Sequence, residues 1–394
     1  MRTLAAVPAL CLLASLAHAS VCPFDCNFDG AVDAGEIRQA VAALFGREEA
    51  DACAGTVQAE AVRVTHLQRA VAVAGLQRPL CAEGVEAHWV PMPPLPAGPR
   101  QEVGVASVGG EIYVVGGITS TAVGVRLVEA FEPTTRRWRR KADLPIPLHH
   151  VAVAATERFL YAVGGFAAPG FRPVADVFRY DPETDTWTSL PPLPQAVGAA
   201  AAAVVAGKLH VLGGSGASGS VAAHRVYDLA TGSWSAAAGL PEAVNHLAAV
   251  VWKETLWIVG GRRDGSGLSN SAGLYRYDAV EDRWLPGPTL PTARSGHAAA
   301  VVGDWLVVFG GEVNPLQPPT FVYPHVEAFH FASGQWVSDV AMPVPRHGFG
   351  AATLGNRVYL PGGAVRAGLG ETAWHDAWEI RAAEIVPSAS ARPR

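Results

Sequence analysis

Charge is scarce in this chain: 16% of its 394 residues are charged, and the formal net charge of −5 is spread without long runs of either sign. Neither nucleic acid nor an anionic membrane is an expected partner of such a surface. Past Leu16 no stretch approaches the roughly 20 apolar residues needed to span a bilayer, so no membrane span is expected. Cysteine stops at Cys81. No His-Glu-x-x-His occurs and no serine sits in a nucleophile elbow, which removes two common hydrolase signatures. Gly214-Ser215-Gly216-Ala217-Ser218-Gly219 matches a dinucleotide-binding string. The strand-like Arg225-Val226-Tyr227 follows where a helix is required, so the string reads as a loop.

A repeat dominates what is present. Trp89, Trp138, Trp187, Trp234, Trp284 and Trp336 each stand 26 or 27 residues ahead of a Gly-Gly pair, with a proline seven residues after the tryptophan. The doublets begin at Gly116, Gly164, Gly213, Gly260, Gly310 and Gly362, and the prolines are Pro96, Pro145, Pro194, Pro241, Pro291 and Pro343. Apolar, β-rich runs such as Ile112-Tyr113-Val114-Val115 and Trp305-Leu306-Val307-Val308-Phe309 precede the doublets and read as strands buried on both faces. Two glycines then end the strand where backbones crowd and φ must turn positive. A third strand carries aromatics before a polar turn, as in Val177-Phe178-Arg179-Tyr180-Asp181-Pro182, and a fourth holds the tryptophan, whose large face can fill the gap between sheets.

Six such sets at a period of about 49 residues resemble the kelch family over residues 86 to 380. The resemblance implies an all-β, six-bladed kelch β-propeller. After Gly362-Gly363 the chain offers a third strand, Asp376 to Ile380, and no fourth. Strand 86–90 is therefore expected to complete the last blade and close the ring, which removes exposed sheet edges.

Ahead of the propeller the sequence reads as a small α-helical calcium-loop module. Residues 1–19 look like a secretory signal: Arg2, an apolar stretch from Leu4 to Leu16, then Ala17-His18-Ala19 as a cleavage site, which points to a secreted or periplasmic protein. In residues 20–82, Cys22, Cys26, Cys53 and Cys81 suit two disulfides, with three connectivities open. The segment Asp25 to Glu36 fits a twelve-residue calcium loop, with Asp25, Asn27, Asp29, the Ala31 carbonyl, Asp33 and Glu36 as ligands and Gly30 at the sharp turn. Ile37, Val41, Leu44 and Phe45 then recur at helical spacing. A second copy 30 residues on has lost its ligands, so one Ca2+ is expected. A loop-helix repeated twice resembles a dockerin-like module more than a complete EF-hand. That resemblance implies a calcium-dependent docking partner, and a structural calcium clip is the alternative. Residues 381–394 read as a disordered tail.

The stretches that start the innermost strands supply the candidate site. Counting back from the doublets gives Arg100-Gln101-Glu102, Leu148-His149-His150, Val197-Gly198-Ala199, Val244-Asn245-His246, Arg294-Ser295-Gly296 and Arg346-His347-Gly348, with His297 one step further in. In a propeller these positions ring one mouth of the central channel. Arg100, Glu102, His149, His150, Asn245, His246, Arg294, His297, Arg346 and His347 are the candidate ligand-binding residues, suited to an anionic or polyhydroxylated ligand. The competing use of such residues is to hydrogen-bond blade backbones. His149 and His150 could also join His246, His297 or His347 around a metal, but nothing in the sequence sets a geometry. The loops Arg262 to Gly273 and Glu312 to His325 are the longest on that mouth, where binding usually resides.

The leading expectation is a secreted, non-enzymatic protein that binds a protein or glycan at the propeller mouth. Similarity to N-acetylneuraminate mutarotases offers an alternative, a sugar epimerase in which Arg100, Glu102, Arg294 and Arg346 handle an acidic sugar. Galactose-oxidase chemistry needs a cysteine crosslinked to a tyrosine, and the absence of cysteine after Cys81 excludes it.

Overall fold

The computed structural model describes residues 85–121, 123–167, 170–264, 269–313, 321–339 and 341–382. The expected signal segment 1–19, the module 20–82 with its cysteines and calcium ligands, and residues beyond 382 lie outside these. Two compact units are distinguished, Trp89–Trp378 and a terminal unit of Met1–His88 with Glu379–Arg394. Of the terminal unit only the strand ends 85–88 and 379–382 are described.

Among the described residues there is no helix. The Trp89–Trp378 unit is built from six four-stranded antiparallel sheets. The first runs Gly104–Val108, Glu111–Val115, Val128–Glu132 and Arg137–Arg140 from inside to outside. In the last, Ala352–Leu354, Arg357–Pro361 and His375–Ala382 are followed by Val85–Pro91 as the outermost strand. The Met92 amide donates to the His375 carbonyl at 3.0 Å just beyond that pairing.

The innermost strands, Gly104–Val108, Ala152–Ala155, Ala201–Val205, Ala248–Trp252, Ala298–Val302 and Ala352–Leu354, each lie against the next, and the last returns to the first. This ring is a β-propeller. Small residues, mostly alanine, face the channel between these strands, where six backbones converge. The second strands are buried on both faces, and Ile112, Tyr113, Val114 and Val115 are all inaccessible to solvent. Their burial contributes roughly 1.5–3 kcal/mol for each large apolar side chain.

The core lies in the gaps between sheets. Tyr113, Val115 and Val128 of one sheet pack with Leu160, Phe178 and Tyr180 of the next, and Trp187 closes that cluster. The repeated tryptophans also tie sheet to sheet through their indole N–H. Trp138 donates to Pro93 O, Trp187 to Ala142 O and Trp234 to Pro191 O at 2.9 Å, and Trp284 to Ala238 O and Trp336 to Pro288 O at 3.0 Å.

The doublets join sheets at the backbone. The second glycine amide donates to a carbonyl on the neighbouring sheet: Gly117 to Leu148, Gly165 to Val197, Gly214 to Val244, Gly261 to Arg294, Gly311 to Arg346 and Gly363 to Arg100. At Gly116 φ is +63° and an added Cβ would sit 2.5 Å from the Leu148 carbonyl oxygen. Only glycine permits that approach.

Candidate functional site

One residue at the start of each innermost strand turns the chain in the left-handed region: Glu102, His150, Ala199, His246, Gly296 and Gly348, with φ between 52° and 61° (the ring's non-glycine members reach 53°). Their backbones close a hydrogen-bonded circle. Glu102 N donates to Gly348 O at 2.5 Å, Gly348 N to Gly296 O at 2.8 Å, Gly296 N to His246 O at 3.0 Å, His246 N to Ala199 O at 2.9 Å, Ala199 N to His150 O at 3.0 Å, and His150 N to Glu102 O at 2.9 Å. Each conformation is held by its neighbours, so a glutamate and two histidines tolerate a backbone that favours glycine.

A second tier stands above the circle. Gln101, Gly198, Asn245, Ser295 and His347 bridge Ile118, Ser215, Arg262, Glu312 and Ala364, the first residues after the doublets. His149 pairs with Phe166 in the same way. Beyond that tier the described ends of each segment pair again in hairpin fashion, Ile118 with Gly124, Ala167 with Arg172, Ser215 with Ser220, Arg262 with Asn270, Glu312 with Val322 and Ala364 with Glu371. Six hairpins therefore form the rim of the mouth.

Ionisable groups converge on part of this mouth. His150 Nε2 lies 3.3 Å from Glu102 Oε2. His347 Nε2 lies 3.7 Å from Glu102 Oε1 and 3.4 Å from Glu312 Oε2. Arg262 bridges the cluster, its Nη1 on Glu312 at 2.6 Å and its Nη2 against His246 Nε2 at 3.1 Å. Burial first, then the Glu312 charge, pushes the Glu102 carboxyl up to about 8, against the pull of Arg262. Burial above all, with neighbouring positive groups adding to it, holds His150 and His246 well below the usual imidazole range. At neutral pH both rings are uncharged.

The sequence-derived candidates divide into two groups. Glu102, His149, His150, Asn245, His246 and His347 meet at the mouth. Arg100, Arg294 and Arg346 do not line the channel: each is wholly buried and paired inside its own sheet. Arg100 donates to Glu129 at 2.7 Å, Arg346 to Asp376 at 3.2 Å, and Arg294 pairs closely with Glu327. Arg294 also donates to the Gly310 and His325 carbonyls at 3.0 and 3.1 Å. These are the blade-supporting uses that compete with ligand binding. His297 lines the channel below the circle and packs beneath Gly260.

Arg262 and Glu312 are the residues that sequence reasoning left out. Their loops were marked by length, but the position immediately after each doublet was not read as a tier of the mouth. Its occupants, Ile118, Phe166, Ser215, Arg262, Glu312 and Ala364, include one cation and one anion on neighbouring sheets. The long loop 312–325 is described only at its ends, where Phe321 meets Tyr323 edge to face.

Among the described residues, the rim carries most of the exposed large apolar side chains. Of Val123, Phe171, Val280, Phe321, Leu369 and Trp374, four (Val123, Phe171, Phe321 and Leu369) sit in the hairpins. Phe171, 61% exposed, packs its inner edge against Phe166, His149 and His150. Below the rim the channel encloses about 160 Å3. That is small beside the roughly 300–1,000 Å3 of sites that engulf a small molecule.

Comparison with known proteins agrees with this architecture. A family model described as the attractin/LZTR1 β-propeller matches residues 112–371. Kelch-like protein terF of Aspergillus terreus is 30% identical over 287 residues, covering 68% of this chain and 62% of the relative. Human kelch-like protein 34 is 30% identical over 273 residues, covering 66% of this chain and 40% of the relative. The chain thus spans less than two thirds of the length of these curated relatives. A solved structure of YjhT superposes with a TM-score of 0.62 at 17% identity, over 74% of this chain and 99% of that one, and shows the same fold. The chain belongs to the kelch-repeat β-propeller family.

Proposed function

We propose that this is a non-enzymatic, six-bladed kelch propeller whose hairpin rim captures a protein or glycan partner. The observation that carries the reading is the gathering of Val123, Phe171, Phe321 and Leu369 on one rim, around a mouth lined with Glu102, His150, His246, Arg262 and Glu312. Exposed apolar anchors beside a polar centre are how rigid scaffolds bind macromolecules. Kelch relatives support a binding role over a catalytic one. The reading extends to the amino-terminal segment, which binds one Ca2+ through Asp25, Asn27, Asp29, Ala31, Asp33 and Glu36, as a clip or a calcium-dependent dock, in a protein exported from the cytoplasm. The test is capture from the native secretome by wild type and by a Phe171→Asp, Leu369→Asp variant, with and without calcium. A partner held by wild type and released by the variant supports the rim. A partner held equally by both, or none at all, refutes it.

One observation favours a second reading, a mutarotase-like sugar epimerase. Glu102 stays protonated near pH 7 and stands beside two imidazoles, a set equipped to pass a proton to and from a sugar hydroxyl. The three buried arginines would take no part. Anomer exchange of acidic sugars, followed by NMR with wild type and Glu102→Gln, decides it: no acceleration by wild type removes the enzymatic reading.

A further inference from the structure

We propose that the floor of the mouth is a binding site for one divalent first-row transition ion, zinc being the best match, held by His150 Nε2, His246 Nε2 and the Glu102 carboxylate. One ligand atom from each of these residues lies within 4.8 Å of the other two. The His150 to Glu102 separation, 3.3 Å, already matches the spacing of about 3.4 Å between ligand atoms that follows from tetrahedral bonds of about 2.0–2.1 Å. To close the set, the His246 nitrogen would have to come from within 4.8 Å to that same spacing.

The hydrogen bonds around both rings settle which nitrogen carries a lone pair. The Gly170 carbonyl can only accept, so His149 Nε2, 3.0 Å away, carries a proton. Neutral His149 then accepts at Nδ1, and its 2.6 Å contact with His150 Nδ1 makes His150 the donor. His150 Nε2 is left with a bare lone pair toward Glu102. On the other sheet, Asn245 Nδ2 donates to Ser220 Oγ at 2.7 Å and to Asp264 Oδ1 at 3.0 Å, which turns the amide oxygen toward His246 Nδ1. That nitrogen donates, and His246 Nε2 likewise presents a lone pair. Acceptors on one ring nitrogen that fix the tautomer and strengthen the other are how proteins orient histidine ligands.

Two further features point the same way. Glu102, His150 and His246 occupy ring positions with φ of 53°, 52° and 53°, where Gly296 and Gly348 supply the same turn without strain. Three polar side chains at left-handed positions of one ring form a pattern that clusters at functional sites. His347, 1% exposed, also directs Nε2 at Glu102 from 3.7 Å. Two imidazoles and one carboxylate suit zinc, cobalt or nickel; calcium and magnesium take oxygen ligands. Three protein ligands leave the fourth position of a tetrahedral site for a water.

Arg262 is the competitor. Its Nη2 donates to the His246 Nε2 lone pair that the ion needs, while Glu312 holds Nη1 and gives the guanidinium a resting place when displaced. Removing Arg262 should therefore strengthen ion binding, an effect opposite in sign to general damage at the mouth.

The site does not depend on capture of a partner at the rim, and its test is separate. Full-length protein, stripped by chelator and kept in millimolar Ca2+ to satisfy oxygen-rich sites, is titrated with Zn2+ by calorimetry and with Co2+ by visible absorption. One equivalent of Zn2+ is expected. Affinity should fall at least a hundredfold in His150→Ala and in His246→Ala, fall about tenfold in Asn245→Ala, rise severalfold in Arg262→Gln, and stay unchanged in His297→Ala. Ala199 already occupies the same left-handed ring position, so alanine there is compatible with the fold. Should either histidine variant fail to fold, Glu102→Gln, which keeps the shape and removes the carboxyl that would release its proton to bind the ion, decides in the same direction. Absence of stoichiometric binding to wild type, or binding that the histidine and glutamate exchanges leave intact, overturns the proposal.

Discussion

Glycine at the first position of each doublet is a contact between sheets before it is a source of freedom. At Gly116, Gly164 and Gly310 an added Cβ would stand 2.5, 2.3 and 2.3 Å from the carbonyl oxygens of Leu148, Val197 and Arg346. Gly310→Ala should therefore combine a forbidden backbone angle with a steric collision and lower stability by about 2–4 kcal/mol, read from urea denaturation. The carbonyl it approaches belongs to one of the three buried arginines. Arg294 and Glu327 are both fully buried, and Thr292 Oγ1 adds a 2.7 Å hydrogen bond to the carboxylate. Arg294→Met leaves that carboxylate unpaired and should cost on the order of 3–5 kcal/mol, whereas Arg294→Met with Glu327→Met should recover most of the loss. Equal stability of the single and double variants would sink the pairing argument. Arginine at the start of an inner strand was readable from the sequence; that it turns into the blade instead of the channel was not, because its partners lie 29 to 33 residues further along the chain.

At the scale of elements, the outer strands Arg137–Arg140, Thr186–Leu190 and Ser233–Ala236 are largely exposed, each with a half-buried tryptophan. Arg137–Arg140 carries only Trp138 as a half-buried anchor, and Trp187, also half-buried, anchors Thr186–Leu190. Trp187 packs tilted against Tyr180, ring centroids 4.9 Å apart, and donates to Ala142 O on the preceding sheet. Trp187→Phe keeps much of the packing and loses that hydrogen bond, for a cost of about 1 kcal/mol, while Trp187→Ala should cost about 3–5 kcal/mol. The loss should appear as faster amide exchange on strand Thr186–Leu190 before the second strand is affected; uniform exchange across the sheet would mean that the outer strand does not open alone. These elements were legible beforehand because their apolar pattern has period two and their ends carry Gly-Gly or Asp turns. The rim hairpins were less so, since their sequences share no pattern and only their closing pairs repeat.

For the whole molecule, buried neutral histidines tie stability to pH. His210 and His224, on adjacent strands of one sheet, meet at 2.8 Å, and burial holds both down to about 4. His325 is likewise held near 4 and His375 near 3 by burial. In the unfolded chain these rings titrate near 6.5, so between pH 6.5 and 4 the unfolded state binds more protons than the folded one. Their contribution to stability is full above pH 6.5, declines as pH falls through that window, and levels off below it. His210 and His224 each contribute on the order of 3 kcal/mol to this decline. Thermal melts from pH 7 to 4.5 should show it, and His210→Leu with His224→Leu should flatten the slope; an unchanged slope in that variant would assign the acid sensitivity elsewhere. The sequence by itself determined the repeat, the sheet-forming strands and the glycine contacts, because these depend on neighbours one or two strands away and recur at about 49 residues. Only the tertiary structure decided which side chains share the mouth. Arg262 meets Glu312 across 50 residues, and Gln101 reaches Gly368 across 267. Such distances close only when six sheets come round to meet, and a single left-handed residue at each strand start then sends one side chain to the channel and its neighbour into the blade.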